Sequence, residues 1–368
     1  MVYFDHSAST IPSKIVLDNF YNNNLLYPGN YNSPHYLGNK IKEEVKKNKN
    51  LILSALNFDN NYDILFTSGA TESNNYAITS FVSKYNINLI ISDSFEHSSI
   101  IAPLSFNQKQ GINVKFVSFN EYGIINLEEL EELIKDNKDG NTLVSIAPVN
   151  SEIGIKQDIE KIKKIINKYD NCYFHTDATQ AIGKININYN DIDMISFSCH
   201  KIYGLKGIGG LIYKKDLSFL SIIKGGDSES KYRSGTPAHP LILSVFDALN
   251  YTLSNNNYDY VLELKKYLIK KLKSIKCVKI NSNRYSIPHI VNVSFIGYNS
   301  LDIVSMLSNK QIFISNHTAC NSNSSFSQGV LSLTHDEDRS KSSVRISLSF
   351  CNNKDEIDYL IKSLKEIL

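Results

Sequence analysis

The chain has 368 residues, of which 42% are hydrophobic and 21% charged. This is an ordinary globular mix, and it excludes a disordered or fibrous protein. Lys and Arg number 39 against 37 Asp and Glu, a formal charge of +2, so a dominant nucleic-acid footprint is excluded as well. No apolar run approaches the ~18 residues of a membrane span. The start, Met1-Val-Tyr-Phe-Asp-His6, lacks the basic and apolar stretches of a signal peptide. The expected location is the cytoplasm, with neither a membrane nor a direct nucleic-acid partner. The cysteines, Cys172, Cys199, Cys277, Cys320 and Cys351, include no C-x-x-C pair, so free thiols and no metal site are expected.

In chain order, Asp63–Thr67 reads as a strand, followed by Gly69 and a helix through Asn74–Ala77. Leu89–Ser92 and Val114–Val117 are strands, and Glu128–Lys135 is a helix with acidic residues at its start. Leu143–Ala147 is a strand. Asp158–Tyr169 is a helix that gathers Ile159, Ile162, Ile165 and Ile166 on one face. Cys172–Thr176, Met194–Ser198 and Gly209–Tyr213 complete the strands. Strands alternating with helices predict an α/β fold with a mostly parallel sheet covered on both faces. Beyond a polar stretch at Ser254–Asn257 the texture changes. A long helix over Tyr258–Ser274 precedes half-buried strands at Ile290–Phe295 and Val344–Leu348, flanked by helices at Ser300–Ser308 and Lys354–Ile367. This is a smaller α+β unit.

Ligand sites of open α/β sheets lie at the carboxyl ends of the strands. Ser196-Phe-Ser-Cys-His-Lys201 ends one strand, and Asp177-Ala-Thr-Gln180 ends another. A lysine amine and a carboxylate at neighbouring strand ends suit pyridoxal phosphate, which needs an amine to bind covalently and a carboxylate to keep its ring nitrogen protonated. Thr67-Ser-Gly-Ala-Thr-Glu-Ser-Asn-Asn75 runs from a strand through a small-residue turn into a helix, an anion site. A plain helix cap explains the same letters. His97, in Glu96-His97-Ser98, can stack on a ring and shuttle protons, or be structural.

Together with Glu152-Ile-Gly154 and Arg233-Ser-Gly-Thr236, these segments resemble in order the motifs of the class V aminotransferase superfamily, and within it the NifS/IscS-like cysteine desulfurases. The resemblance begins at Tyr3-Phe-Asp-His-Ser-Ala-Ser-Thr10 and reaches Arg345. It implies a fold-type I pyridoxal-phosphate enzyme, with a large domain over 14–255 and a small domain made of 1–13 and 256–368. It implies that Lys201 holds the cofactor, Asp177 pairs with the pyridinium nitrogen and Gln180 meets the phenolic oxygen. Ala70, Thr71, Ser198 and His200 would bind the phosphate, and His97 would stack on the ring. Asn150 and Ser151 would lie beside the ring, and Arg345 would clamp the substrate carboxylate. Thr236 would reach the phosphate of a second subunit, making a homodimer. Cys320, in the polar stretch Thr318–Ser325, would be the nucleophile that takes sulfur from L-cysteine, releasing alanine and keeping a persulfide. Either His97 or the substrate-bound cofactor would activate it. Cys199 reads as a small core residue.

Three departures stand out. Ser151 replaces an Asn, so either it makes the weaker contact or Asn150 takes the role. Ser349 stands where a glycine is usual, which is tolerable at negative φ. The sequence ends at Leu368, directly after the last helix, whereas longer members engage an iron–sulfur scaffold protein through a tail. The expected sulfur acceptor therefore shifts from such a scaffold toward a tRNA-thiolation enzyme. The competing expectations are another class V enzyme (an aminotransferase or selenocysteine lyase) and an inactive paralogue acting as a scaffold.

Overall fold

The computed structural model describes residues 1–316 and 326–368. Its centre is a seven-stranded sheet. From one edge the order is Tyr62–Thr67, Gly209–Lys214, Met194–Ser198, Cys172–Asp177, Asn141–Ser145, Ile87–Ser92 and Asn113–Phe116. All neighbouring pairs are parallel except those of Gly209–Lys214, which runs antiparallel to both neighbours. The strands other than the edge strand Asn113–Phe116 are almost wholly buried because helices cover both faces. The helices Lys14–Leu26, Tyr36–Ala55, Ser98–Lys109 and His239–Asn255 have too little apolar contrast in sequence to stand out. Residues 70–84 form one helical run, with a π-turn at Tyr76–Ser80.

A second apolar cluster joins Val2 and Phe4 to side chains from Val261 to Leu364. It surrounds a three-stranded antiparallel sheet of Val278–Ile280, Ile290–Phe295 and Ser343–Ser347. The N-terminal Val2–Tyr3 pairs in parallel with Ile312–Phe313, and Asp5 bridges to Ser347. The helix ending at Asn255 and the next, beginning at Tyr258, are separated by Asn256 and Asn257.

Ile290–Phe295 departs from the half-buried expectation: every residue is buried. Val291, Val293 and Phe295 face the apolar cluster. The polar residues of the other face are buried in a hydrogen-bond network. Asn281 Nδ2 donates to Asn292 Oδ1 and Ser294 Oγ, both at 2.7 Å, and Arg339 Nη2 donates to Asn281 Oδ1 at 2.7 Å. Polar alternation therefore marks an internal polar seam here, not a wet face.

Gly209 shows how tightly the strand ends are drawn together. A Cβ there would run into the Phe197 carbonyl and lie 2.7 Å from Gly69 Cα. Gly209→Ala should therefore cost about 3 kcal/mol of folding stability. Gly226→Ala, with nothing within 4 Å, should be near neutral. Chemical denaturation of the two variants checks this contrast.

Candidate active site

One cavity of about 630 Å³ opens at the carboxyl ends of the parallel strands, a size that suits a small cofactor with its substrate. Ala70, Thr71, His97, Asn150, Ser151, Asp177, Gln180, Ser198, His200, Lys201 and Arg345 all line it. Thr236 does not line it and is exposed. Cys320 lies outside the described residues.

Asp177 ends one strand and is in register with Ser196 of the neighbour that leads to Lys201. Its carboxylate is buried, accepting Asn74 Nδ2 at 2.8 Å and Thr179 N at 3.0 Å. Among the described residues it has no ion-pair partner. A buried carboxylate with only two neutral donors is costly. A protonated pyridine nitrogen is the complement it lacks, so the residues fit pyridoxal phosphate. Nearby, Asn74 Oδ1 and Thr179 Oγ1 are buried and without partners.

Asn74 is the link that motif reading passes over. Its Nδ2 donates to Asp177 and also to Ser99 Oγ at 2.8 Å. Ser99 Oγ lies 2.8 Å from His97 Nδ1, and Ser99 N donates to the same nitrogen at 3.2 Å. His97 Nδ1 is therefore an acceptor, which places the ring N–H on Nε2. The ring also caps the Ser98–Lys109 helix, so His97 has a structural role while it lines the cavity. Asn74 stands among many solvated asparagines in the sequence, and only its place within the Thr67–Asn75 motif could have marked it.

Lys201 Nζ donates to the carbonyls of Ser7 at 2.5 Å and Ala8 at 2.7 Å, so the N-terminal segment sets where the amine sits. Gln180 Nε2 donates to the same Ser7 carbonyl at 2.9 Å, while its Oε1 accepts Lys184 Nζ at 2.6 Å. Burial, aided by the charges of Lys201 and Arg345, holds the Lys184 amine well below its ordinary range. Gly69 precedes the 70–84 run and offers no side-chain cap, while Glu72 Oε2 accepts Ser68 N at 2.7 Å and Thr67 Oγ1 accepts Gly69 N at 3.4 Å. Ala70 and Thr71 present backbone N–H groups that the helix leaves unpaired. Burial, then Lys201, Lys206 and Lys184, lowers His200 to about 4.

Arg345 is 1% exposed on its strand, so it is no surface charge. Its Nη1 donates to the Ser151 carbonyl at 2.9 Å, Nη2 lies 3.3 Å from Asp5 Oδ1, and Nε has no partner among the described residues. A half-committed guanidinium at a cavity wall is suited to a carboxylate. Asn150 is spent on backbone: its Nδ2 donates to Phe95 O, and its Oδ1 accepts the amides of Glu152 and Ile153. Ser151 therefore faces the cavity without help from the Asn150 amide. Ser349 has no positive φ, and its Oγ lies 3.3 Å from His6 Nε2. Cys199 is buried in the apolar core, and burial pushes its thiol up.

The family model for class V aminotransferases matches residues 2–360. The chain belongs to the class V aminotransferase family. It is 38% identical to the cysteine desulfurase IscS of Buchnera aphidicola subsp. Baizongia pistaciae, over 99% of this chain and 92% of that protein. It is 31% identical, with a TM-score of 0.87, to the NifS-like protein of Rickettsia africae, covering 100% of this chain and 99% of that one. A second similar solved structure, SspA in complex with cysteine, is 30% identical with a TM-score of 0.81 and coverages of 95% and 99%. Pyridoxal phosphate is the cofactor of this family. No helix among the described residues is long and apolar enough to cross a membrane.

Two predictions arise from the site. Asn74→Ala removes a donor to a buried carboxylate and should weaken pyridoxal phosphate binding about tenfold, measured by absorbance titration. The second concerns acid. Burial lowers His6, His175 and His200 to about 4 and His289 to about 3. The unfolded chain takes up protons at these rings near pH 6.5, before the folded one does. Their stabilising share is thus complete above pH 6.5 and lost as pH falls toward 4. Burial also raises Asp93 to about 6 and lifts Glu96, Asp193, Glu229 and Asp247 above the ordinary carboxyl range, which acts in the opposite sense. Between pH 6.5 and 4.5 the His289 share is lost from the wild type alone, so on going to the lower pH the thermal midpoint of His289→Asn should move upward relative to that of the wild type. Equal slopes of midpoint against pH would contradict this.

Proposed function

We propose that the chain is a pyridoxal-phosphate-dependent cysteine desulfurase that converts L-cysteine to L-alanine and holds the sulfur as a persulfide on Cys320. The observation that carries this reading is the pairing of a cation-less buried Asp177 with Lys201 at the next strand end, in the cavity that Arg345 also enters. The cysteine desulfurase named among its relatives supports the same reading.

Bound pyridoxal phosphate supplies an aldehyde that condenses with amines and a ring that takes up the electron pair left at the substrate α-carbon. Asp177 holds a proton at the ring nitrogen. The amides of Ala70 and Thr71, with Ser198 and His200, would hold the phosphate, and the Gln180 amide would meet the phenolic oxygen. Arg345 fixes the substrate carboxylate. Lys201 Nζ takes the α-proton. Cys320 Sγ, as thiolate, bonds to the substrate sulfur, and the C–S electron pair stays with carbon. That carbon is then protonated, so alanine leaves and the second sulfur stays on Cys320. His97 Nε2 moves the protons this exchange requires.

The working unit in this reading is a homodimer, because exposed Thr236 sits outside its own cavity and would reach the phosphate of the second copy. The persulfide sulfur passes to an acceptor protein, either an iron–sulfur scaffold or a tRNA-thiolation enzyme. The chain acts in the cytoplasm.

Purified protein given pyridoxal phosphate, L-cysteine and a reductant should yield equal amounts of alanine and sulfide. Lys201→Ala and Cys320→Ala should each reduce both products by at least about a hundredfold. Alanine formation that persists in Cys320→Ala would replace this reading with lyase or transaminase chemistry.

A further inference from the structure

Among the described residues three lysines are buried: Lys163, Lys184 and Lys265. Two of them hold loops. Lys163 Nζ donates to the carbonyls of Asn188 and Asn190, and Lys265 Nζ to those of Ser286 and Ile287. Lys184 Nζ ties down no backbone. Its one hydrogen-bond partner among the described residues is Gln180 Oε1, at 2.6 Å, and that glutamine lines the cavity while Lys184 does not. The ionisable groups around Lys184 are His6, His200, Lys201, Tyr203, His289 and Arg345, none of them a carboxylate. A buried amine in such company costs stability, and the chain is bent to place it there. Gly183 has φ +74°, and a Cβ on it would lie 2.5 Å from Thr252 Cγ2. Glycine alone suits the turn that returns Lys184 to Gln180.

What the amine controls is the orientation of the Gln180 side chain. The Ser7 carbonyl can only accept, so the atom 2.9 Å from it is Nε2, and Oε1 is the atom turned to Lys184. Charged or neutral, the Lys184 amine has an N–H for Oε1. Turned over, the amide would set its oxygen against the Ser7 carbonyl. With Oε1 held by Lys184 and one Nε2 hydrogen on Ser7, the group that Gln180 has left for the cavity is its second N–H.

We propose that Lys184 is a positioning residue: by holding Gln180 Oε1 it makes Gln180 a hydrogen-bond donor toward the cofactor, and so favours a phenolic oxygen that carries negative charge. The proposal rests on the reading in which Gln180 meets that oxygen on a cofactor bound through Lys201. The Lys201 nitrogen and the phenolic oxygen then share one proton, and a donor aimed at the oxygen favours the form that has lost it. Without Lys184 the amide is free to rotate, and the proton is kept to higher pH.

The test is an absorbance titration of the holoenzyme with pH in the absence of substrate, which reads the midpoint of the bound cofactor's spectral change and involves no turnover. Lys184→Met keeps the buried stem and removes the donor, and its midpoint should rise by about one pH unit. Gln180→Leu should raise the midpoint by at least as much. The double variant should match Gln180→Leu, because Lys184 acts only through Gln180. That variant leaves neither side chain of the pair with an unpartnered polar atom, so if Lys184→Met alone folds poorly, the comparison of Gln180→Leu with the double variant still decides. A wild-type midpoint in Lys184→Met beside a raised one in Gln180→Leu overturns the proposal alone. So does a double variant whose midpoint differs from that of Gln180→Leu, since Lys184 then acts without Gln180. A wild-type midpoint in Gln180→Leu overturns the reading of Gln180 and the proposal with it.

Discussion

A buried carboxylate without a cation is the constraint around which this site is arranged. Asp177 is withdrawn from water at the end of a central parallel strand, and among the described residues it has only an amide side chain and a backbone N–H as donors. A fold could relieve that cost with an arginine or a lysine. This one places its nearby cationic groups elsewhere. Lys201 is held on the carbonyls of Ser7 and Ala8, Lys184 on Gln180, and Arg345 between Asp5 and Ser151. The charge deficit at Asp177 therefore suits a ligand that arrives with its own protonated nitrogen.

The arrangement depends on contacts between distant parts of the chain. The N-terminal segment reaches the amine of Lys201 and the guanidinium of Arg345, and so connects the two sheets at the point where chemistry is proposed. The buried polar face of Ile290–Phe295 extends the connection, since Asn292 Nδ2 also donates to the Glu152 carbonyl at 3.2 Å. Polar groups buried together in this way favour one relative placement, because each would be left unpaired in any other. In the proposed reaction that precision matters, because the residues assigned to hold the substrate and to bind the cofactor come from different segments.

Much of this was legible in the sequence. The core strands were visible as apolar runs bounded by turns, and the placement of Asp177 and Lys201 at adjacent ends followed from the parallel order. The motifs then supplied the roles. What stayed hidden was hidden for physical reasons. Asn74 looks like any other asparagine until the fold brings it between Asp177 and Ser99. The alternation in Ile290–Phe295 looks the same whether its polar side meets water or a buried network. The grip of Ser7, Ala8 and Asp5 on the site spans nearly the whole chain, and periodicity carries no information at that range. The commitment of the Asn150 amide to backbone groups, which leaves it no free polar atom to support Ser151, is a matter of rotamer and not of spacing.

The central claim, that this cavity holds pyridoxal phosphate on Lys201, can be tested by trapping. The protein would be loaded with the cofactor, reduced with borohydride and digested, and the pyridoxyl label located by mass spectrometry. The account predicts the label on the peptide containing Lys201. A label on Lys184, on a surface lysine, or spread over several lysines would contradict it.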